Sequence, residues 1–143
     1  MAQVNKSALV PFSAEQMYKL VENVDDYHTF LPWCSRSKQL EREGDVIVGT
    51  VTISKGGVNK AFTTRNTLHE NELIEIELVD GPFKELNGFW RFDALKENAC
   101  KVSLDLEYEF SSRLLSLVVG PVFNQVANTM VDSFVKQAKV AYG

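Results

Sequence analysis

The residues able to do chemistry are few and scattered. His28 and His69 are the only imidazoles, and Cys34 and Cys100 the only thiols. Acid–base work or metal binding needs such groups to converge. None of the four stands at metal-ligand spacing from another. Two cysteines suggest no disulfide scaffold, so both read as buried free thiols in a reducing compartment. His28 falls in a helix–loop region and His69 in a hairpin turn, where each is expected to be solvated. Lys55-Gly56-Gly57 is too short for a phosphate loop and lies in the wrong setting, so it reads as a hairpin turn. Asp105, Glu107 and Glu109 alternate with apolar residues and read as a solvated acidic stripe, not an acid–base pair. No catalytic residue and no metal site is predicted, and the chain reads as non-enzymatic.

The elements that would carry these residues follow from composition and period. The 143 residues fit one domain, 1–143, large enough to fold without a metal or disulfide. Hydrophobic residues make up 45% and charged residues 24%, with a net charge of −4. That acidity argues against a broad phosphate-binding surface; a DNA partner is not expected. No signal peptide is visible in Met1–Val10. Leu114–Ala127, the longest apolar stretch, is interrupted by Ser116, Gly120, Pro121, Asn124 and Gln125, so no transmembrane segment is expected. A cytoplasmic location is the expectation.

A first strand covers roughly 3–10 and ends at Pro11. Ser13 and Gln16 have capping-box spacing, with Phe12 and Met17 as a hydrophobic staple. Met17, Leu20, Val21 and Val24 recur at helical period. A second short helix is expected over 25–30, stopped by Leu31-Pro32. From 35 to 110 the period changes to two, with turn signals every 10–15 residues or so, which predicts six antiparallel strands in a meander. Val102, Leu104, Leu106, Tyr108 and Phe110 show the apolar face most plainly. From 111 to 141 the helical period returns. Ser111 is the expected cap, Phe110 and Leu115 the staple, and Gly120-Pro121 a kink or restart.

The predicted class is therefore α+β: a curved seven-stranded antiparallel sheet around a long C-terminal helix, with two short helices after strand 1. Seven strands span roughly 30 Å, whereas a helix with its side chains is only about 10–12 Å across. The sheet must curve around the helix, and an apolar cavity between them is the default binding site. Its expected walls are Phe62, Trp90, Phe92, Leu104 and Leu106 from the sheet and Phe123, Val126 and Met130 from the helix. Phe30, Leu31 and Trp33 would form a lid. Thr64 and Asn66 are the expected polar contacts inside.

Three stretches are distinctive beyond their pattern. Val10-Pro11-Phe12-Ser13-Ala14-Glu15-Gln16-Met17-Tyr18 leads through Val21-Glu22-Asn23-Val24-Asp25-Asp26-Tyr27 to Phe30-Leu31-Pro32-Trp33-Cys34. Gly81-Pro82-Phe83-Lys84 is followed by Trp90-Arg91-Phe92, and Gly120-Pro121-Val122-Phe123-Asn124 comes last. In that order they resemble the coenzyme-Q-binding, START-like family of the polyketide cyclase/dehydrase superfamily. The resemblance covers nearly the whole chain and implies the helix-grip fold. Mitochondrial relatives are described as ubiquinone-binding proteins required for respiration. Bacterial members of this size are described as ribosome association toxins that bind the large ribosomal subunit and block its joining with the small one.

Two functions are thereby implied for a bacterial member. The first is a carrier whose partner is an isoprenoid quinone such as ubiquinone, with no other cofactor. The alternative is a translation inhibitor bound to the large ribosomal subunit. Its candidate contacts are Arg36, Lys38 and Arg42 after the lid, with Lys55 and Lys60 at the next hairpin.

Overall fold

Ser13 starts the first helix as its type and spacing demand. Its hydroxyl accepts from the Gln16 backbone N–H at 3.1 Å, and the Gln16 side chain accepts from the Ser13 backbone N–H at 2.9 Å. Two N–H groups that the first turn would leave unpaired are satisfied reciprocally. The computed structural model describes residues 2–143, and the elements succeed one another as follows. Strand β1 (Ala2–Val10) precedes α1 (Ala14–Glu22), a 3₁₀ turn (Val24–Asp26) and α2 (Tyr27–Phe30). Six strands follow: β2 (Cys34–Glu43), β3 (Val46–Lys55), β4 (Val58–His69), β5 (Leu73–Asp80), β6 (Phe83–Lys96) and β7 (Ala99–Phe110). Helix α3 (Arg113–Tyr142) closes the chain.

All strands join one antiparallel sheet in the order β1-β7-β6-β5-β4-β3-β2. The expected meander is thus present, and β1 pairs back onto β7. The β3–β4 turn is made by Gly56 and Gly57 at φ +57° and +81°, with Lys55 opposite Val58. A two-residue loop with both residues left-handed suits the twist of its strands. At Gly88, opposite Leu106, a Cβ would lie 1.9 Å from the Asp105 carbonyl oxygen. Only glycine permits so close an approach, which lets β6 and β7 bend around the helix.

Helix α3 departs from expectation at its cap, and of the kink or restart expected at Gly120-Pro121 it excludes the restart. Its N-cap is Ser112, whose hydroxyl accepts from Leu115 N–H at 3.1 Å, so the cap lies one residue beyond Ser111. The Phe110–Leu115 staple register lapses with it, although both residues still pack against the core. The helix also runs uninterrupted through Gly120-Pro121. Pro121 removes only the N–H that would reach the Leu117 carbonyl, and Leu117 and Pro121 lie on the exposed side where water is at hand. The continuous helix contains an 18-residue window of mean hydropathy 1.4, with 33% of it buried, and so meets the length and composition of a membrane span. The run-length expectation took Ser116, Gly120, Pro121, Asn124 and Gln125 as breaks, but none of them is charged and the mean over the window stays high.

Val119, Phe123, Val126, Ala127, Val131, Phe134 and Ala138 form the buried stripe of α3. They face the inward residues of the sheet, including Ile47, Ile53, Ile74, Trp90, Val102, Leu104 and Tyr108.

Candidate ligand-binding site

Two aromatic clusters divide the space between sheet and helix. At one end the Phe134 ring meets Tyr27 at 5.3 Å, Phe30 at 5.4 Å and Trp90 at 5.2 Å, all edge to face. At the other, Phe123 meets Tyr108 at 4.7 Å and Phe83 at 4.9 Å, with Phe110 stacked on Phe83 at 4.9 Å. Edge contacts of this kind are the preferred packing of aromatic quadrupoles.

Between the clusters lies a cavity of about 80 Å³. Trp33, Phe62, Trp90, Leu104, Leu106, Phe123, Val126 and Met130 line it, as do Thr64 and Asn66. Phe92 of the expected wall does not, nor do Phe30 and Leu31 of the expected lid. Leu31 is buried elsewhere in the core, Phe30 is half-buried against Phe134, and Phe92 lies under α1, edge to face with Tyr18 at 5.8 Å. Wall residues that sequence reasoning missed are Val21, Val24 and Tyr27 from the helical region, Gly49 and Val51 from β3, Ile74 and Ile76 from β5, and Leu86 from β6.

The cavity stands where the comparison of widths put it, but it is much smaller than that comparison implied. Ligand pockets usually measure about 300–1,000 Å³. This volume lies between a single water's share of about 30 Å³ and the roughly 150 Å³ void that admits a benzene ring. The aromatic clusters fill the remainder.

The polar inventory of the wall is short and uncharged. Thr64 Oγ1 donates to Asn66 Oδ1 at 3.0 Å. The Tyr27 hydroxyl donates to the Val21 carbonyl, and burial pushes its pKa far above the ordinary phenol value. Trp33 is 5% exposed, and its Nε1 is the one buried side-chain nitrogen or oxygen without a hydrogen-bond partner among the described residues. Its backbone is fixed, because the carbonyl accepts from Ser54 N–H at 2.8 Å. The neighbouring turn is fixed too: Asp25 Oδ1 accepts from the Gln39 backbone N–H at 2.7 Å.

Apart from Tyr27, the titratable groups lie away from the cavity. His28 is exposed with Nδ1 3.1 Å from Ser37 Oγ, and His69 Nε2 is exposed 2.8 Å from Glu75 Oε2. Both cysteines are buried and unpaired; desolvation raises the Cys34 thiol and pushes Cys100 up to about 11. No group of three or more His, Cys, Asp or Glu side chains is arranged to hold a metal among the described residues.

The basic candidates do not form one zone. Directly opposed residues in an antiparallel pair share a face. Arg36 and Lys38 oppose Thr52 and Thr50 and so point outward. Arg42 opposes Ile47 on the inward side and is held by Glu22 at 2.7 Å. Lys60 opposes Ile53, also inward, and Lys55 stands at the β3–β4 turn. Arg36, Lys38, Lys55 and Lys60 therefore occupy one end of β2–β4, on two sides, and Arg42 of β2 is tied to Glu22 of α1. Farther across the sheet the outer groove holds Glu75, Glu77, Asp105 and Glu107. The net charge of −4 is thus unevenly spread.

A curved antiparallel sheet gripping one long helix over an apolar hollow defines the helix-grip, START-like class. The match of residues 10–135 to the family "Polyketide cyclase / dehydrase and lipid transport" places the chain more narrowly, and it belongs to that family. A ribosome association toxin RatA of Vibrio cholerae is 50% identical over 143 residues, covering 100% of this chain and 99% of that protein. A mitochondrial coenzyme Q-binding protein, COQ10 homolog B of Xenopus laevis, is 30% identical over 145 residues, covering 99% of this chain and 59% of that protein. Among solved structures, the ZhuI aromatase/cyclase of a Streptomyces species superposes with a TM-score of 0.86 at 14% identity, covering 96% of this chain and 93% of that one. That last likeness concerns the fold alone.

Proposed function

We propose that this chain is a non-enzymatic, ribosome-associating inhibitor of translation that acts in the bacterial cytoplasm. The observation that carries the reading is whole-length identity of 50% to a protein named for ribosome association, against 30% to one named for coenzyme Q binding. The size of the cavity supports the same order. A hollow of about 80 Å³ holds little of a polyprenyl tail unless its walls part. The large ribosomal subunit is the partner, met through Arg36 and Lys38 on one side of the β2–β4 end and Lys55 and Lys60 on the other; none of the four takes part in a salt bridge among the described residues. Each phosphate so neutralised releases counterions, so association weakens with salt. The test is co-sedimentation of the chain with purified ribosomal subunits through sucrose. Migration with the large subunit at low salt, lost as salt rises, is expected. Chain left at the top of the gradient at low salt overturns the reading.

A second reading is favoured by the cavity itself. Its lining is apolar apart from Tyr27, Trp33, Thr64 and Asn66, and no charged residue borders it. Such a lining suits an isoprenoid or similar apolar ligand, each buried CH₂ contributing about 0.8 kcal/mol. The two readings use different parts of the molecule and are compatible. Native mass spectrometry of the chain after mild extraction tests the second. Retained isoprenoid lipid supports it, and none retained after incubation with excess lipid counts against it.

A further inference from the structure

Over its first half, helix α3 carries apolar side chains on two opposite sides. Val119, Phe123 and Val126 are buried against the sheet. On the other side Leu114, Leu117 and Val118 are 70%, 69% and 56% exposed, and exposed Pro121 continues the line. Their spacing of three and four residues makes them one ridge, about 10 Å long. Leu9, Leu40, Val79 and Leu95 are exposed too, but each stands on a different strand, and single apolar residues on a surface are ordinary. A contiguous ridge points to something that covers it.

The charge beside the ridge has one sign. From Phe110 to Val131 the only charged residue is Arg113, and from Ser54 to Thr64 the only ones are Lys55 and Lys60. The two segments meet, since a Cβ on Gly56 would lie 3.4 Å from Val122 Cγ2. Lys60 opposes Ile53, so it and Lys55 project on the helix side of the sheet. Glu109, just before the helix, and Asp80, at the turn that Ser111 contacts, take the outer face, and Glu109 is paired with Lys84 at 3.7 Å. Four apolar side chains fall short of a second copy, because a standard protein interface engages about 20–30 residues a side. RNA phosphates would meet the cations and leave the leucines wet. A bilayer with anionic headgroups meets both.

We infer that this ridge is a docking surface for an anionic lipid bilayer. Leu114, Leu117, Val118 and Pro121 enter the boundary between headgroups and acyl chains, and Arg113, Lys55 and Lys60 lie against the lipid phosphates. The helix rests on the membrane and does not cross it, because its other side is committed to the sheet. The surface lies outside the cavity and holds whichever functional reading is correct.

The test is sedimentation of the full chain with phosphatidylcholine vesicles, with and without about one quarter phosphatidylglycerol. Binding to the anionic vesicles is expected to be at least about tenfold tighter than to the neutral ones, because each cation near the surface adds to the attraction. Leu114→Ser with Leu117→Ser changes no charge and replaces only exposed side chains. It should weaken binding to anionic vesicles about tenfold or more, and leave the thermal midpoint and large-subunit association unchanged. Cys34 and Cys100 are buried, so Leu117→Cys gives one reactive site for a polarity-sensitive fluorophore. Its emission should shift to the blue on anionic vesicles, whereas the same label on Val140→Cys, exposed at the far end of the helix, should not move. No sedimentation with anionic vesicles, binding that survives the double serine variant, or equal shifts at the two labels overturns the proposal. So does a dimer in solution that the double serine variant abolishes, which would assign the ridge to a second copy.

Discussion

Phe62 on β4 and Phe123 on α3 meet edge to face at 5.9 Å, and this contact joins sheet to helix at the edge of the cavity. Phe123 is 3% exposed and also touches Phe83, Tyr108 and Phe110. Truncating it removes packing from both sides of the grip. Phe123→Ala is expected to cost about 3–5 kcal/mol of stability, as large-to-small changes of buried aromatics do. Chemical denaturation measures this, and a loss below about 1 kcal/mol would mean that the grip is not held there.

Curvature gives a second prediction. Gly88→Ala places a methyl group against the Asp105 carbonyl, a backbone atom that has no rotamer to retreat into. The expected loss is about 3 kcal/mol, the upper end of the range for over-packing. Gly44→Ala, where nothing lies within 4 Å of the added Cβ but φ is +58°, is the comparison. It should cost only about 1 kcal/mol, from the left-handed backbone alone. Equal losses in the two variants, measured by denaturant midpoints, would remove Gly88 as the bending point.

Much of this architecture was legible because period two and period 3.6 are written directly in the side chains. Val102 to Phe110 alternate in sequence and alternate in burial, and Ser13 with Gln16 forms the capping box its spacing announces. The cavity wall was legible only where a strand or helix supplies large residues at its centre, such as Phe62, Trp90 and Phe123. Gly49, Ile74 and Val24 border it because the sheet bends and the 3₁₀ turn tucks beneath, and neither is a local property of the chain. Its volume was illegible for the same reason. Comparing the widths of sheet and helix left out Tyr27 and Phe30 of α2 and Phe134 of α3, which fill the space from two elements far apart in the chain. The outward and inward division of Arg36 and Arg42 turned on β-bulges in β2 that the residue types do not advertise.

Surface charge gives the third prediction. Arg36→Glu with Lys38→Glu should weaken large-subunit association roughly tenfold or more near 0.1 M salt and flatten its salt dependence. Arg42→Ala breaks only a partly exposed ion pair with Glu22. It should cost under about 1 kcal/mol of stability and leave association unchanged. Filter binding to purified subunits reads both; an Arg42→Ala loss equal to that of the double variant would relocate the contact surface.

The thiols supply a pH prediction. Cys34 and Cys100 are 5% and 0% exposed, and burial raises both pKa values, Cys100 to about 11 against an ordinary 9.0. Because the folded value lies above the unfolded one, their contribution is intact below pH 9 and is lost as pH rises toward 11. Unfolding midpoints should therefore fall across that window, and Cys100→Ser should fall less steeply. At pH 8 neither thiol should react with a disulfide reagent on the timescale of minutes while the chain is folded. Fast labelling of the native protein would contradict the burial.

The most direct measurement mixes purified small and large ribosomal subunits, adds this chain, and follows the joined particle by sedimentation. The account predicts that the joined peak falls in proportion to the chain added and that the chain travels with the free large subunit. A joined peak unchanged at several-fold excess of chain over subunits would contradict it.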